Sequence, residues 1–236
     1  MEIKLHFMEE GQGFPLVLLH GNGGDSSYFK RQIPHFSKTY RVIAVDTRGH
    51  GNSPRGDAPF TLSRFAEDLK ELLDELGISR CHLLGFSDGA NIAMYFALRY
   101  PRYIKRLILN GGNLSPWGVK WSTQIPVVAG WLFLRVMSIF NKALVKKWEI
   151  LDLMATQPNL TAEELSALAV PTLVVAGEKD MIRAGHTEKI AAAIPGSECV
   201  ILPGDHFVAR RGSEAFNALV ENFLCEGPEK EGAEKP

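Results

Sequence analysis

Short apolar runs alternate with helix-like patterns along most of this chain. Several of the runs are apolar almost throughout, as expected of parallel strands that helices cover on both faces. The alternation predicts βαβ units around a mostly parallel sheet, and therefore an α/β fold. The strand candidates are Ile3–Phe7, Leu16–His20, Arg41–Val45, Cys81–Leu84, Ile104–Leu109, Thr172–Ala176 and Glu198–Leu202.

Amphipathic helices separate the strand candidates. The clearest helix has apolar residues at spacings of three and four and stops at Gly77, a residue type that commonly ends helices. Its apolar face consists of Leu62, Phe65, Ala66, Leu69, Leu72, Leu73 and Leu76. Further helices are predicted from about His186 to Ala193 and from Ser213 to Leu224.

Residues 113–168 interrupt the alternation and contain no convincing strand. They carry a capping box at Thr161 and Glu164, which is typical of a helix start. We interpret residues 113–168, called the cap below, as a helical insertion that covers an active site. Residues 1–112 and 169–225 then form the core, and the polar residues 226–236 are predicted to be disordered. All four tryptophans lie in the cap: Trp117, Trp121, Trp131 and Trp148.

Composition narrows the class of protein. The length of 236 residues suits one α/β domain, and 45% hydrophobic and 22% charged residues are normal for a soluble protein. The formal net charge of −1 disfavours a nucleic-acid partner. The three cysteines include no Cys-x-x-Cys pair, which argues against a disulfide framework or a zinc site. The first residues lack the pattern of a signal peptide, so we expect a cytoplasmic protein.

One apolar stretch, Ile125–Phe140, raises the question of a membrane span. The stretch is shorter than the roughly 20 residues that a helix needs to cross a bilayer, and Arg135 interrupts it. The sequence therefore predicts a buried helix or a lid helix, and no stable membrane insertion.

The pentapeptide Gly85–Gly89, reading Gly-Phe-Ser-Asp-Gly, carries the strongest chemical signal. It follows the strand candidate Cys81–Leu84 and opens a helical stretch that runs to Leu98. Gly-x-Ser-x-Gly between a strand and a helix is typical of the nucleophile elbow, a sharp turn that exposes a serine hydroxyl. Glycines lack a Cβ atom, so the two backbones can approach closely around a strained serine. Ser87 is therefore a candidate nucleophile.

A serine nucleophile needs a base, and the base needs an orienting acid. The expected chain order in this architecture is serine, acid, histidine. Asp180 and His206 each follow a strand candidate, so a parallel sheet would bring both to the edge that holds Ser87. Glu178 is a reserve candidate for the acid. Asp205 is a weaker one, because its position next to His206 makes a side-chain pairing awkward.

These features resemble the α/β-hydrolase fold family, in particular its small serine hydrolases and esterases with a short helical cap. Two further motifs carry the resemblance, His20–Gly24 after one strand candidate and Asp46–Ser53 after the next. The resemblance implies a mostly parallel central sheet with helices on both faces and a helical cap insertion. It also implies an acyl-enzyme mechanism in which Ser87 attacks, His206 transfers the proton and Asp180 fixes the imidazole tautomer.

The resemblance extends to the surroundings of the nucleophile. It implies an oxyanion hole formed by the backbone N–H groups of Asn22 and Asp88. The elbow is similar to that of the biphenyl-hydrolase-like branch, whose members hold a substrate amine with an acid at the position of Asp88. Asp88 is thus a candidate for substrate binding, or else it accepts N–H groups at a helix start. Trp131 and Phe133 either line an apolar substrate pocket or pack the cap on the core.

We expect a cofactor-independent serine hydrolase that cleaves a small carboxylic ester or a related acyl compound. No metal-binding or nucleotide-binding motif is visible in the sequence. A C–C bond hydrolase of the meta-cleavage type and an aminopeptidase or amidase stay open, since both use the same triad. A non-catalytic ligand-binding protein of this fold is a further alternative, against which the three triad candidates argue. The expected partner is a small-molecule ester or acyl substrate, and the expected state is a monomer or homodimer.

Overall fold

The computed structural model describes residues 2–225 of the chain, which form one central sheet. Its strands are β1 (Phe7–Glu10), β2 (Pro15–Leu19), β3 (Arg41–Val45), β4 (Cys81–Phe86), β5 (Ile104–Asn110), β6 (Thr172–Lys179) and β7 (Glu198–Asp205). Their order in the sheet is β1-β3-β2-β4-β5-β6-β7. β1 is antiparallel to β3, and the other neighbouring pairs are parallel. The predicted α/β fold with a mostly parallel sheet is confirmed.

The first strand differs from the prediction. A strand was expected over Ile3–Phe7, whereas β1 begins at Phe7 and is a largely exposed edge strand. Ile3 and Leu5 are buried in the core, although neither belongs to a strand. Alternating apolar residues indicate that one side of a segment is buried, but a strand also requires a hydrogen-bonded partner. Here β3 pairs with the four residues Phe7–Glu10.

Helices cover both faces of the sheet. Within the described residues the α-helices are α1 (Ile33–Phe36), α2 (Leu62–Glu75), α3 (Asp88–Arg99), α4 (Trp121–Phe140), α5 (Val145–Thr156), α6 (Ala162–Leu165), α7 (Ala184–Ala193), α8 (Val208–Arg211) and α9 (Ser213–Cys225). The apolar face of α2 packs into one core cluster, and that of α9 packs into a second. In β2, Val17 and Leu19 join the first cluster while Leu16 and Leu18 join the second. Both faces of this strand are buried, which explains its uninterrupted apolar run.

The carboxyl ends of the parallel strands place three polar side chains at one edge of the sheet. Ser87 directly follows β4, Asp180 directly follows β6, and His206 directly follows β7. β4 is separated from β6 by β5 alone, and β7 lies beside β6. Each of the three residues is thus carried by the end of a strand that is fixed in the sheet.

The cap contains α4, α5 and α6, and it differs from the prediction in one helix. α6 begins at the predicted capping box of Thr161 and Glu164, which is present with both of its hydrogen bonds. α4 has 20 residues, and within the described chain it is the one helix long and apolar enough to cross a membrane by length and composition. The expectation that the apolar stretch is too short was therefore wrong. The prediction of a buried helix was also wrong. Gln124 is the buried residue of α4, because other elements cover only one side of this helix. The predicted disorder of residues 226–236 lies outside the described residues.

Candidate active site

Ser87 lies in a strained turn between β4 and α3. Its φ is 54° and its ψ is −120°, and it is the one non-glycine residue with a positive φ in the described part of the chain. A side chain with a Cβ atom seldom adopts this region, because the Cβ atom crowds the backbone. The Ser87 N–H donates to the Asn110 carbonyl at 2.8 Å, which anchors the turn to the end of β5.

The glycines on either side of Ser87 are required by close backbone contacts. A Cβ atom on Gly85 would lie 2.2 Å from the Gly89 carbonyl oxygen. A Cβ atom on Gly89 would lie 2.1 Å from the Leu19 carbonyl oxygen. Strand β4, helix α3 and the end of β2 therefore approach each other at distances that only glycine allows.

His206 connects Ser87 to Asp180. Its Nε2 atom lies 3.0 Å from the Ser87 Oγ, and its Nδ1 atom lies 2.6 Å from the Asp180 Oδ1. His206 and Asp180 are buried, at 4% and 3% exposure. Because an ionised carboxylate only accepts hydrogen bonds, Nδ1 carries the proton and Nε2 is left as an acceptor for the Ser87 hydroxyl.

The surroundings of Asp180 keep its carboxylate ionised. Burial by itself raises the pKa of Asp180, but the hydrogen bond and charge of His206 and the N–H groups of Ile182 and Gly177 outweigh it. The net result is a pKa below the ordinary value of 3.8. The Ile182 N–H donates to Oδ1 at 2.9 Å. Asp180 is thus a fixed negative charge against the imidazole.

The other two acid candidates lie elsewhere. Glu178 is an exposed residue of β6. Asp205 accepts the Phe207 N–H at 2.9 Å and forms an ion pair with Arg211. The geometry therefore brings Asp180 to the imidazole, as the sequence favoured.

The loop after β2 brings its backbone against the elbow. A Cβ atom on Gly21 would lie 3.0 Å from the Ser87 Cβ. His20 fixes this loop, since its Nδ1 lies 2.7 Å from the Gly21 carbonyl oxygen and its Nε2 accepts the Thr47 N–H at 3.1 Å. Burial lowers the pKa of His20, in keeping with a neutral ring that has a structural role.

The two predicted oxyanion-hole residues border the same small space. Asn22 and Asp88 both line it, beside Gly21 and at the base of the cap. Asp88 is the first residue of α3, so its N–H has no acceptor within its own helix. The Asn22 side chain donates to the Ile150 carbonyl of the cap at 2.7 Å, which ties this loop to the cap.

The side chain of Asp88 is buried with one oxygen unpartnered. Its Oδ1 accepts from the Asn91 side chain at 3.1 Å, and its Oδ2 has no hydrogen-bond partner. Burial raises the pKa of Asp88 to about 6, although Asn91 and the charge of His206 oppose the shift. The carboxyl group bonds a side-chain amide instead of helix N–H groups, so the helix-start explanation of Asp88 is wrong.

A buried amide network links the elbow to the cap, and sequence reasoning missed it. The Asn91 side chain donates to both the Asp88 Oδ1 and the Asn113 Oδ1, the latter at 3.0 Å. The Asn113 N–H in turn donates to the Asn91 Oδ1 at 2.9 Å. The one signal in the sequence was an asparagine within an otherwise apolar helix, which needs a buried partner.

The space directly above Ser87 is small. Its volume is about 20 Å³, which is enough for about one water molecule. Some of the residues that line it belong to no motif that the sequence analysis identified. The lining residues are Ser87, Asp88, Asn113, Val119, Met154, Gln157, Met181 and Ile182.

Trp131 and Phe133 do not line this space, so the structure adds no support to their predicted role in substrate binding, which stays a prediction. The Trp131 Nε1 donates to Asp152 at 2.7 Å, and Arg135 covers its ring. Phe133 is 63% exposed. Residues two apart in a helix point in nearly opposite directions, so Trp131 faces α5 while Phe133 faces solvent.

The converging side chains suit covalent catalysis by serine. A candidate nucleophile, a candidate base and an orienting acid lie within hydrogen-bond reach of one another, in that order. Within residues 2–225, no three His, Cys, Asp or Glu side chains come together as a metal site. The arrangement supports transfer of an acyl group to Ser87.

Comparison with known proteins places the chain in a family. A family model described as the alpha/beta hydrolase fold matches residues 15–142. The human serine hydrolase BPHL is 28% identical over 247 residues, covering 94% of this chain and 83% of the relative. A 2-hydroxymuconate semialdehyde hydrolase of Pseudomonas sp. (strain CF600) is 31% identical over 197 residues, covering 82% of this chain and 63% of the relative. A solved hydrolase from Pseudomonas aeruginosa PA01 has a TM-score of 0.76 at 29% identity, covering 94% and 95% of the two chains.

The chain belongs to the α/β-hydrolase fold family. The resemblance inferred from the elbow and the later motifs is thereby confirmed. The fold and the relatives together indicate a hydrolase enzyme.

Proposed function

We propose that this protein is a serine hydrolase that cleaves a small carboxylic ester, or a related acyl compound. The observation that carries the proposal is the chain of contacts from the Ser87 Oγ through His206 to Asp180, at 3.0 and 2.6 Å. The likeness to the human serine hydrolase BPHL supports serine as the nucleophile. Ser87, His206 and Asp180 are the proposed catalytic triad, and the cap is proposed to act as a lid over it.

In the acylation step, the Ser87 Oγ attacks the substrate carbonyl carbon while its proton moves to the His206 Nε2. A C–O bond forms to the serine, and the carbonyl oxygen takes up negative charge. His206 then gives the proton to the leaving alcohol oxygen as the ester C–O bond breaks. Asp180 stabilises the imidazolium that exists between these two transfers.

In the deacylation step, a water molecule replaces the alcohol. His206 takes a proton from the water, whose oxygen attacks the acyl carbon, and then returns a proton to the Ser87 Oγ as the acyl group leaves. The products are a carboxylic acid and the free enzyme.

The backbone N–H groups of Asn22 and Asp88 are the proposed oxyanion hole. They come from two elements that meet at the elbow, so they are fixed before the substrate binds. Preorganised donors act on the charge that develops only in the transition state, and one such donor is typically worth about 3–4 kcal/mol of barrier.

An ester that carries an amine is a second candidate substrate, and the buried carboxyl of Asp88 favours it. Asp88 lines the space above Ser87, and its buried Oδ2 has no hydrogen-bond partner. Above pH 6, where this group is ionised, its negative charge opposes the charge that develops on the oxyanion. A substrate ammonium group at Oδ2 would offset that charge, so this site would select cationic amino-acid esters over neutral acyl esters.

A fluorophosphonate probe and an ester panel test both candidates. We expect the probe to label the parent protein and the Ser79→Ala variant, whose serine is exposed and remote, but not Ser87→Ala. Chromogenic esters of increasing acyl length then measure turnover by the parent protein. For the second candidate, Asp88→Asn should lower the ratio of amino-acid ester to simple ester turnover.

The outcomes separate the alternatives. No labelling of the folded parent protein would exclude a reactive serine and contradict the proposal. Labelling without ester turnover would point to C–C bond cleavage or amide cleavage by the same triad. An unchanged ratio of the two ester turnovers in Asp88→Asn would exclude amine recognition while leaving the triad intact.

A further inference from the structure

Helix α4 and the turn before it carry most of the exposed apolar surface of this protein. Of the large hydrophobic side chains exposed within residues 2–225, nine lie between Trp117 and Phe140, and the other two are Met8 and Ile201. Phe140 is 80% exposed and Ile139 is 68% exposed. Contiguous apolar surface of this kind marks an interaction site. We call the exposed apolar side chains of residues 117–140 the docking face.

The charge around the docking face has a single sign. Residues 117–148 include no Asp or Glu, although the whole chain has a net charge of −1. The cations of this segment are exposed, and none of them forms an ion pair with another described residue. They are Lys120, Arg135, Lys142, Lys146 and Lys147. An apolar helix flanked by unpaired cations has the composition of a segment that binds at a membrane surface.

We propose that the docking face binds reversibly to the surface of an anionic lipid bilayer, with α4 lying parallel to that surface. Exposed tryptophans such as Trp117 and Trp121 have an apolar body and a polar N–H, which suits the boundary between lipid chains and headgroups. The apolar side chains would enter that boundary, and the cations would contact lipid phosphates. The proposal is independent of the catalytic role of Ser87.

Contacts along the inner side of α4 favour a surface position over a membrane span. The Gln124 side chain donates to the Met154 carbonyl, and the Trp131 Nε1 donates to Asp152, both on α5. At the start of the helix, the Lys120 N–H donates to the Met181 carbonyl at 2.8 Å. A spanning helix would have to break these bonds in a medium without replacement partners. A helix that lies on the surface keeps them.

Charge also decides between a bilayer and a second copy of this chain. Two docking faces brought together would juxtapose two sets of unpaired cations, and like charges in contact oppose association. An anionic bilayer supplies the opposite charge together with an apolar layer. The observed combination therefore fits lipid better than self-association.

The docking face adjoins a second cavity. This cavity has a volume of about 480 Å³ and is lined mostly by apolar residues, which include Trp117, Trp121 and Ile125. Val119, between the two tryptophans in the chain, lines the space above Ser87. Docking would thus bring lipid close to the elements that cover the elbow.

Vesicle co-sedimentation of the full chain tests the proposal. The vesicles contain phosphatidylcholine alone or phosphatidylcholine with phosphatidylserine, at low and high salt. The apolar variant is Val136→Ser, Ile139→Ser and Phe140→Ser, and the charge variant is Lys142→Gln, Lys146→Gln and Lys147→Gln. Met8→Ser with Ile201→Ser is the matched control, because it removes the exposed hydrophobic residues outside the docking face. Circular dichroism of each variant verifies folding.

We expect the parent protein and the control to bind phosphatidylserine vesicles, and salt to weaken that binding. The charge variant should bind about 100-fold more weakly, since each cation near an anionic surface contributes about fivefold. The apolar variant should lose at least about tenfold. Absence of binding by the parent protein would overturn the proposal. Binding by both folded variants that equals that of the parent protein would also overturn it. A dimer in sedimentation velocity that the apolar variant abolishes, without vesicle binding, would overturn it in favour of self-association.

Discussion

Asp180, Glu178 and Asp205 lie within a few residues of a strand end, yet of these three carboxylates only that of Asp180 forms a hydrogen bond with the imidazole of His206. The difference comes from the turn after β6, where the Ile182 N–H holds the Asp180 carboxylate in place. If Asp180 fixes the tautomer of His206, Asp180→Asn should lower kcat by about 10⁴ while the fold is kept. Glu178→Gln is the matched control and should retain activity close to that of the parent protein. Steady-state kinetics on one chromogenic ester measure both, and the reverse ranking would make Glu178 the acid.

Asp88 gives a second prediction at the scale of single residues. Its folded-state pKa is raised from 3.8 to about 6, so the folded protein binds this proton more tightly than the unfolded chain. Its contribution to stability is therefore fully present at low pH and is lost as the pH rises through about 6. Asparagine does not ionise, so the Asp88→Asn variant does not lose this stability as the pH rises. Relative to the parent protein, the variant should gain up to about 3 kcal/mol in the free energy of unfolding from about pH 4 to about pH 7.

Urea unfolding of both proteins across this pH range measures the effect. The comparison uses the difference between the two proteins, because buried His20 and His50 have lowered pKa values and impose their own pH dependence on each. A difference that stays constant with pH would show that Asp88 has an ordinary pKa in the folded protein.

The geometry of the nucleophile elbow depends on three elements that contact one another. Strand β4 and helix α3 meet around Ser87, and the end of β2 touches Gly89 from below. Gly89→Ala places a methyl group about 2 Å from the Leu19 carbonyl, so it should destabilise the fold by about 1–3 kcal/mol or more. Gly185→Ala is the matched control, since Gly185 lies in α7 with open space around it. It should be neutral or stabilising by up to about 1 kcal/mol.

Thermal unfolding of the two glycine variants distinguishes these expectations. Equal melting temperatures would mean that the elbow can relax to admit a Cβ atom. In that case, the requirement for glycine beside Ser87 would not be steric.

Helix α4 shows how an apolar pattern can be misread at the scale of an element. Its composition resembles that of a buried helix, yet only one side of it contacts the rest of the cap. An apolar side chain is more stable when it is buried, but its apolar character does not show whether the fold buries it. For the same reason Trp131 and Phe133, two residues apart, have different surroundings.

At the scale of the whole molecule, the cap closes over the core. The space above Ser87 admits about one water molecule, so the proposed function requires that the cap move before an ester binds. Several hydrogen bonds between the cap and the core oppose this movement, and three of them involve residues of α5 or the residue that follows it. The Asn22 side chain bonds the Ile150 carbonyl at 2.7 Å, Arg55 bonds Glu149 at 2.5 Å, and the Leu62 N–H bonds the Gln157 side chain at 3.0 Å.

Glu149→Gln weakens the second of these contacts without touching the triad. We expect it to raise kcat/KM for a bulky ester several-fold more than for an acetyl ester, because the bulky ester requires wider opening. Glu163→Gln, an exposed residue of α6, is the control and should leave the ratio of the two kcat/KM values unchanged. Equal effects of Glu149→Gln on both esters would show that this contact does not limit substrate entry.

The sequence by itself determined the α/β class, six of the strands and the residues of the proposed triad. These follow from local rules: apolar runs mark strands buried on both faces, and an elbow serine needs glycine neighbours. Parallel strands end at one edge, so Ser87, Asp180 and His206 could be expected to meet there. The true position of β1 could not be predicted in this way, because a strand depends on the partner that pairs with it.

Tertiary structure alone decided the surroundings of the triad. Whether Asp88 caps a helix or lies buried beside Ser87 depends on Asn91 and Asn113, which meet only after the cap is placed on the core. The closure over Ser87 and the exposure of α4 depend on how the cap lies against the sheet. Both come from packing between segments distant in sequence, which no local pattern records.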